Sequence, residues 1–179
     1  ESLYLTPASK FASLLSRVSV IVVWTGLLSA TALLIMRLLI GYVPLYYPWL
    51  GLGILLFSIS GIFGLGFAFA AYTLLVRESA QTTANFLQFA LLIVCGLFFP
   101  FSVLPAPLLW LARLIPLSYC VDALRSTLMG YPRGFPELAP IEVELVIVFV
   151  FGLAMPFLGY WLFRQAERKV RKDGTLGEY

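Results

Sequence analysis

Thr83 to Gly130 reads TANFLQFALLIVCGLFFPFSVLPAPLLWLARLIPLSYCVDALRSTLMG, an unbroken hydrophobic run followed by an interrupted one. Asn85 to Leu104 carries no charge, and about 20 residues at ~1.5 Å each reach on the order of 30 Å, one bilayer core. This predicts a membrane-crossing helix over 83–104. The continuation is different: Pro105, Pro107 and Pro116 interrupt it, and Arg113, Asp122 and Arg125 would lie at membrane depth if it crossed. The pattern predicts a re-entrant helical hairpin over 105–130 instead, one short helix from Leu108 to Ile115 and another from Pro116 to Met129. Pro at the start of the second helix and Gly130 just past its end are the expected asymmetry of helix punctuation. Each arm is about half a bilayer long, so the pair dips in from one face and returns.

Outward from this stretch, hydrophobic length predicts further spans, giving an all-α polytopic membrane protein with four crossings at about 14–40, 49–76, 83–104 and 141–163 inside a transmembrane domain over 14–163. Four crossings leave both ends on one side. That side holds Lys10, Arg17, Arg77, Arg164, Arg168, Lys169, Arg171 and Lys172, against Arg37, Arg113, Arg125 and Arg133 opposite. The excess places both ends in the cytoplasm of a cell membrane and the hairpin outside. Residues 1–13 then form a cytoplasmic amphipathic segment and 164–179 a basic cytoplasmic tail.

Composition agrees: 61% of residues are hydrophobic and 12% charged, with mean hydropathy +0.95, outside the range of soluble domains. The net charge of +3 is explained by topology and leaves no aromatic-laced basic patch, so no nucleic-acid partner is expected. There is no His, no GxxxxGK[ST] phosphate loop and no paired carboxylates or ionisable residue expected at mid-membrane depth, which leaves hydrolysis and proton relay poorly supplied. Neither catalytic residues nor a metal site are expected, and Cys95 and Cys120 have no metal-binding or disulfide spacing. An energy source must come from another polypeptide or another part of this one.

Local signals are mostly structural. Arg37 near the end of the first span is expected to snorkel, and Tyr42, Tyr46, Tyr47 and Trp49 form an aromatic belt at headgroup level. Ser60, Gly64 and Ala68 recur every fourth residue, a stripe that lets another helix approach closely, most simply within the chain. Ser58 and Ser60 are expected to bond their own i−4 carbonyls. Glu142 and Glu144 favour the positive end of the last helix, Pro156 is expected to kink it, and Asp122 and Arg125 are expected to form an i, i+3 ion pair.

The run Gly96, Phe99, Pro100, Leu104, Pro105, then Ile115, Pro116, Leu117, Tyr119, Asp122, Leu124, Arg125 and Gly130 resembles the signature of type-2 ABC exporter permeases. In that family an outer Phe-Pro ends a span, a Leu-Pro opens an external hairpin, and an Asn-Pro step and a Leu-Arg follow; Ile115 stands here in place of the Asn. Leu5, Thr6 and Pro7 resemble the Leu-x-Ser/Thr-Pro ahead of the family's third span, and Arg171, Gly174, Leu176 and Tyr179 its usual tail. The resemblance implies the C-terminal two-thirds of a six-span permease. Two permease copies, a homo- or heterodimer in membrane lipid, would enclose a pathway for a drug, lipid or polymer. Each copy would dock a cytoplasmic ABC ATPase, which holds ATP-Mg, through Glu1 to Ser9, with Leu3, Leu5, Thr6 and Pro7 as coupling residues; this chain itself would need no cofactor. Phe99, Pro100, Pro105, Pro116, Asp122 and Arg125 would belong to the external gate.

Two other classes share the composition. A channel or scaffold subunit needs the same spans and the same lack of catalysts, and co-purification of an ATPase would count against it. A lipid-modifying enzyme would need polar groups converging on a head group, for which Arg113, Asp122, Arg125 and Glu142 are the only candidates.

Overall fold

The computed structural model describes residues 10–41, 45–76 and 80–172. Among them every regular element is helical: α1 (Lys10–Ile40), α2 (Pro48–Leu75), α3 (Ala80–Val94), a 3₁₀ turn at Phe101–Val103, α4 (Ala106–Leu114), α5 (Pro116–Met129) and α6 (Ile141–Lys172). The chain is a helical, polytopic membrane protein. The stretches Val22–Leu39, Pro48–Leu74 and Ile141–Val170 are each long and apolar enough to cross a bilayer.

Residues up to Pro44 form one compact unit and those from Leu45 another. The first holds α1, with Arg37 in its last turn where the sequence places it. The second is built on α2 and α6, and its core gathers Ile54, Cys120, Ala123, Val148 and Phe151. The small-residue stripe of α2 makes this contact. A side chain on Gly64 would run into the backbone of Met155 and Pro156, one on Gly61 into the Phe151 ring, and one on Gly159 into the Gly64 carbonyl. The intramolecular reading of the stripe therefore holds. Close approach also settles the serines. Ser58 Oγ donates to its own Ile54 carbonyl at 2.7 Å as expected, but Ser60 Oγ reaches across to the Gly152 carbonyl of α6 at 2.8 Å. Gly152 is the residue whose carbonyl loses its helical donor because Pro156 has no N–H; α6 continues as helix through that proline.

The predicted third span is shorter than its hydrophobic run. α3 ends at Val94 after 15 residues, about 22 Å of helix, rather than continuing to Leu104. Gly96 turns the chain with φ +61°, a conformation glycine adopts without penalty. Pro100 then holds it extended before the 3₁₀ turn. Uncharged residues were continuous here, but helix was not.

Two short helices form on either side of Ile115 where the hairpin arms are expected. α4 begins at Ala106, two residues before the predicted start, with Pro105 as its N-cap. The two arms meet at 96° across Ile115, which the following proline confines to extended backbone. Gly130 ends α5 in the left-handed region, and the Tyr131 N–H returns to the Ser126 carbonyl at 2.9 Å, a Schellman-type closure. Two residues of the predicted aromatic belt pack against this end. The Tyr46 ring covers Gly130, and Tyr47 lies 5.5 Å from Tyr131, centroid to centroid; Tyr42 is outside the described residues.

Candidate functional site

Two of the polar side chains that the fold buries, Asp122 and Glu144, meet the 131–140 loop between α5 and α6. Asp122 is 0% exposed, and its Oδ2 accepts the Glu137 and Leu138 amides at 2.7 and 2.8 Å. Glu144, also 0% exposed, accepts the next amide, that of Ala139, at 3.3 Å through Oε1. Glu137 in turn accepts the Ser102 amide, tying the loop to the 3₁₀ turn. Two buried carboxyls thus hold three consecutive backbone donors that would otherwise lack partners. Cys120 and Ala123 on α5 and Val148 on α6, near them in sequence, are buried in the main core.

The expected ion pair between Asp122 and Arg125 is not formed. Arg125 Nη2 donates to the carbonyl of Gly96, capping the point where α3 stops, and Nη1 has no partner. The reason is competition. The loop returning over α5 offers Asp122 two amides in good geometry, and the α3 end offers Arg125 a carbonyl freed by the Gly96 turn.

The joint role of Asp122 and Glu144 escaped the sequence reading. They hold consecutive amides of one loop because that loop links α5 to the start of α6. A signal was present: Glu144, Val148, Phe151 and Met155 recur at helical spacing, and Val148 and Phe151 are core residues, so Glu144 heads the buried stripe. Glu142 is exposed.

Of the residues assigned to a gate, Asp122 and Arg125 belong to this polar cluster, whereas the others shape the chain around it. Pro105 caps α4 and Pro116 opens α5, Pro100 leads into the 3₁₀ turn, and Phe99 packs on a second core of Val94, Phe101, Leu104 and Ala112. Leu3, Leu5, Thr6 and Pro7 lie outside the described residues. Arg113, offered for a lipid-head-group site, is exposed on α4, and its carbonyl accepts the Tyr119 hydroxyl at 2.9 Å. No convergence of Arg113, Asp122, Arg125 and Glu142 on a shared cavity is seen. A separate apolar cavity of about 400 Å³ lies between α2 and α3, lined by Ile62, Leu65, Phe69, Leu87 and Leu91, with Gln88 at its wall.

Apolar helices of spanning length, with a proline-punctuated bent pair whose second arm is held by buried carboxyls, define a membrane-embedded helical protein. The family model for the ABC-2 type transporter matches residues 1–129, from the start of the chain through the last residue of α5, and the chain belongs to that family as its membrane component. No curated protein and no solved structure matches it.

Proposed function

We propose that this chain is the permease subunit of an ATP-driven exporter that moves a hydrophobic or amphipathic molecule out of the cytoplasm by alternating access. The single observation that carries the reading is the family match, which runs from Glu1 through Met129 and so includes both the N-terminal segment and the whole hairpin. A separate ATPase subunit, carrying ATP-Mg, docks on residues 1–9 with Leu3, Leu5, Thr6 and Pro7 at the contact. Two permease copies enclose the pathway, and the hairpin with Asp122 and Arg125 forms its external gate. The shortage of acid–base residues outside the cluster supports a division of labour in which this chain moves and the partner hydrolyses.

The test is Leu5→Asp in the complete transporter reconstituted in vesicles. A carboxylate placed in a docking groove is costly when unpaired, and interface energy is concentrated in few side chains. Export and substrate-stimulated ATP hydrolysis are expected to be lost while the permease remains inserted. Full export by a Leu5→Asp, Pro7→Gly double variant would end the docking assignment, and permeation that continues without any ATPase would favour a channel.

A further inference from the structure

One face of α6 changes chemistry along its length. Phe157, Trp161, Arg164 and Arg168 follow one another at helical spacing and share that face, and all four are exposed. The opposite face is committed to α2. A side chain on Gly159 would meet the Gly64 carbonyl, the Phe163 ring lies 6.1 Å from that of Phe67, and Ala166, on the same side by spacing, is buried. An apolar stripe, with Phe157 76% and Trp161 57% exposed, thus runs straight into two arginines, and Lys169 is exposed beside them.

The change falls where a bilayer core would end. Leu145 to Phe163 carries no charge, and about 19 residues at ~1.5 Å each come close to the ~30 Å of hydrocarbon. Arg164 then stands in the first turn beyond it, level with head groups, where Trp161 also suits the interface. Arg164 is restrained there. Its Cζ lies 5.6 Å from the centroid of the Tyr160 ring, and that ring packs edge-on against Phe67 of α2, 6.3 Å between centroids. An aromatic face attracts the charge but offers no oxygens to the guanidinium fork, whose geometry matches a phosphate. Residues 164–172 hold five bases, Arg164, Arg168, Lys169, Arg171 and Lys172, against one acid, Glu167. Such a cluster directly after a span is complementary to an anionic membrane surface.

We propose that Arg164, Arg168 and Lys169 bind the phosphate of an anionic phospholipid, with Trp161 and Phe157 along its acyl chain and Tyr160 positioning Arg164. Charge complementarity and the continuity of the basic group with an exposed apolar stripe both select a lipid, which alone presents a phosphate directly above a hydrocarbon chain. The bound lipid anchors the end of α6 at a fixed depth. The inference rests on α6 being a span and is independent of the cargo and of any ATPase.

Native mass spectrometry of the complete chain, released from nanodiscs of phosphatidylglycerol and phosphatidylcholine in equal amounts, tests the site. The parent is expected to retain phosphatidylglycerol severalfold over phosphatidylcholine. Arg168→Gln and Lys169→Gln, both at exposed positions, should each lower that preference, and Arg164→Gln with Arg168→Gln should remove most of it. Arg133→Gln takes an equal exposed charge from the loop before α6 and should leave the preference unchanged. Tyr160→Leu keeps every charge and should lower it through Arg164 alone, with no further loss when added to Arg164→Gln. Equal retention of the two lipids by the parent overturns the proposal, as do equal losses from Arg168→Gln and Arg133→Gln. A preference that survives the double variant while a dimer falls to monomer also overturns it, and assigns the face to a second copy of the chain.

Discussion

The Ser60 hydroxyl of α2 donates to the Gly152 carbonyl of α6 at 2.8 Å, four residues before Pro156. The proline removes a helical donor, and the neighbouring helix replaces it at the point where glycines bring the two backbones together. Ser60→Ala should therefore cost about 1–2 kcal/mol of thermal stability in detergent. In a Pro156→Ala background, where the helix supplies its own N–H, the same substitution should cost only a few tenths. Equal losses in both backgrounds would show that the hydroxyl is not covering the proline's defect.

Arg125 is expected to act on the end of α3 rather than on Asp122. Arg125→Met leaves the Gly96 carbonyl without its charged donor and should destabilise by about 1.5–3 kcal/mol. A double-mutant cycle of Arg125→Met with Asp122→Asn should give a coupling within about 0.5 kcal/mol of zero, because the two side chains bond different partners. A coupling above about 2 kcal/mol would restore the ion pair expected from the i, i+3 spacing.

The hairpin should return to the side from which it enters. Cysteines placed at Ala106 and at Arg133, which are both exposed and flank its two arms, should both react with an impermeant thiol reagent added outside. Arg133 reacting only from the cytoplasm would make the bent pair a crossing and would require a different assignment of the two chain ends.

Much of the architecture was legible because proline and glycine punctuate it. Pro116 and Gly130 bracket α5 as read, and Ile115 bends as a pre-proline residue must. α3 was misjudged because hydropathy measures solvent preference and not backbone geometry. Leu97, Phe98 and Phe99 are as apolar as any helix, yet Gly96 has already turned the chain. The polar cluster was only half legible. Asp122 and Arg125 stood out as charges in an apolar context, but their partners are amides and a carbonyl, which side-chain spacing does not reveal. Glu144 joins Asp122 through a loop contact that no local pattern encodes.

The seam between α2 and α6 also constrains how the protein is made. α2 leaves the ribosome before α6, with its glycine face open and the Ser60 hydroxyl without its carbonyl until that later helix arrives. The same later helix brings Glu144 to the loop that Asp122 also holds, so that loop waits for it. Until then the nascent chain presents a bare small-residue surface on α2, which only the later helix covers.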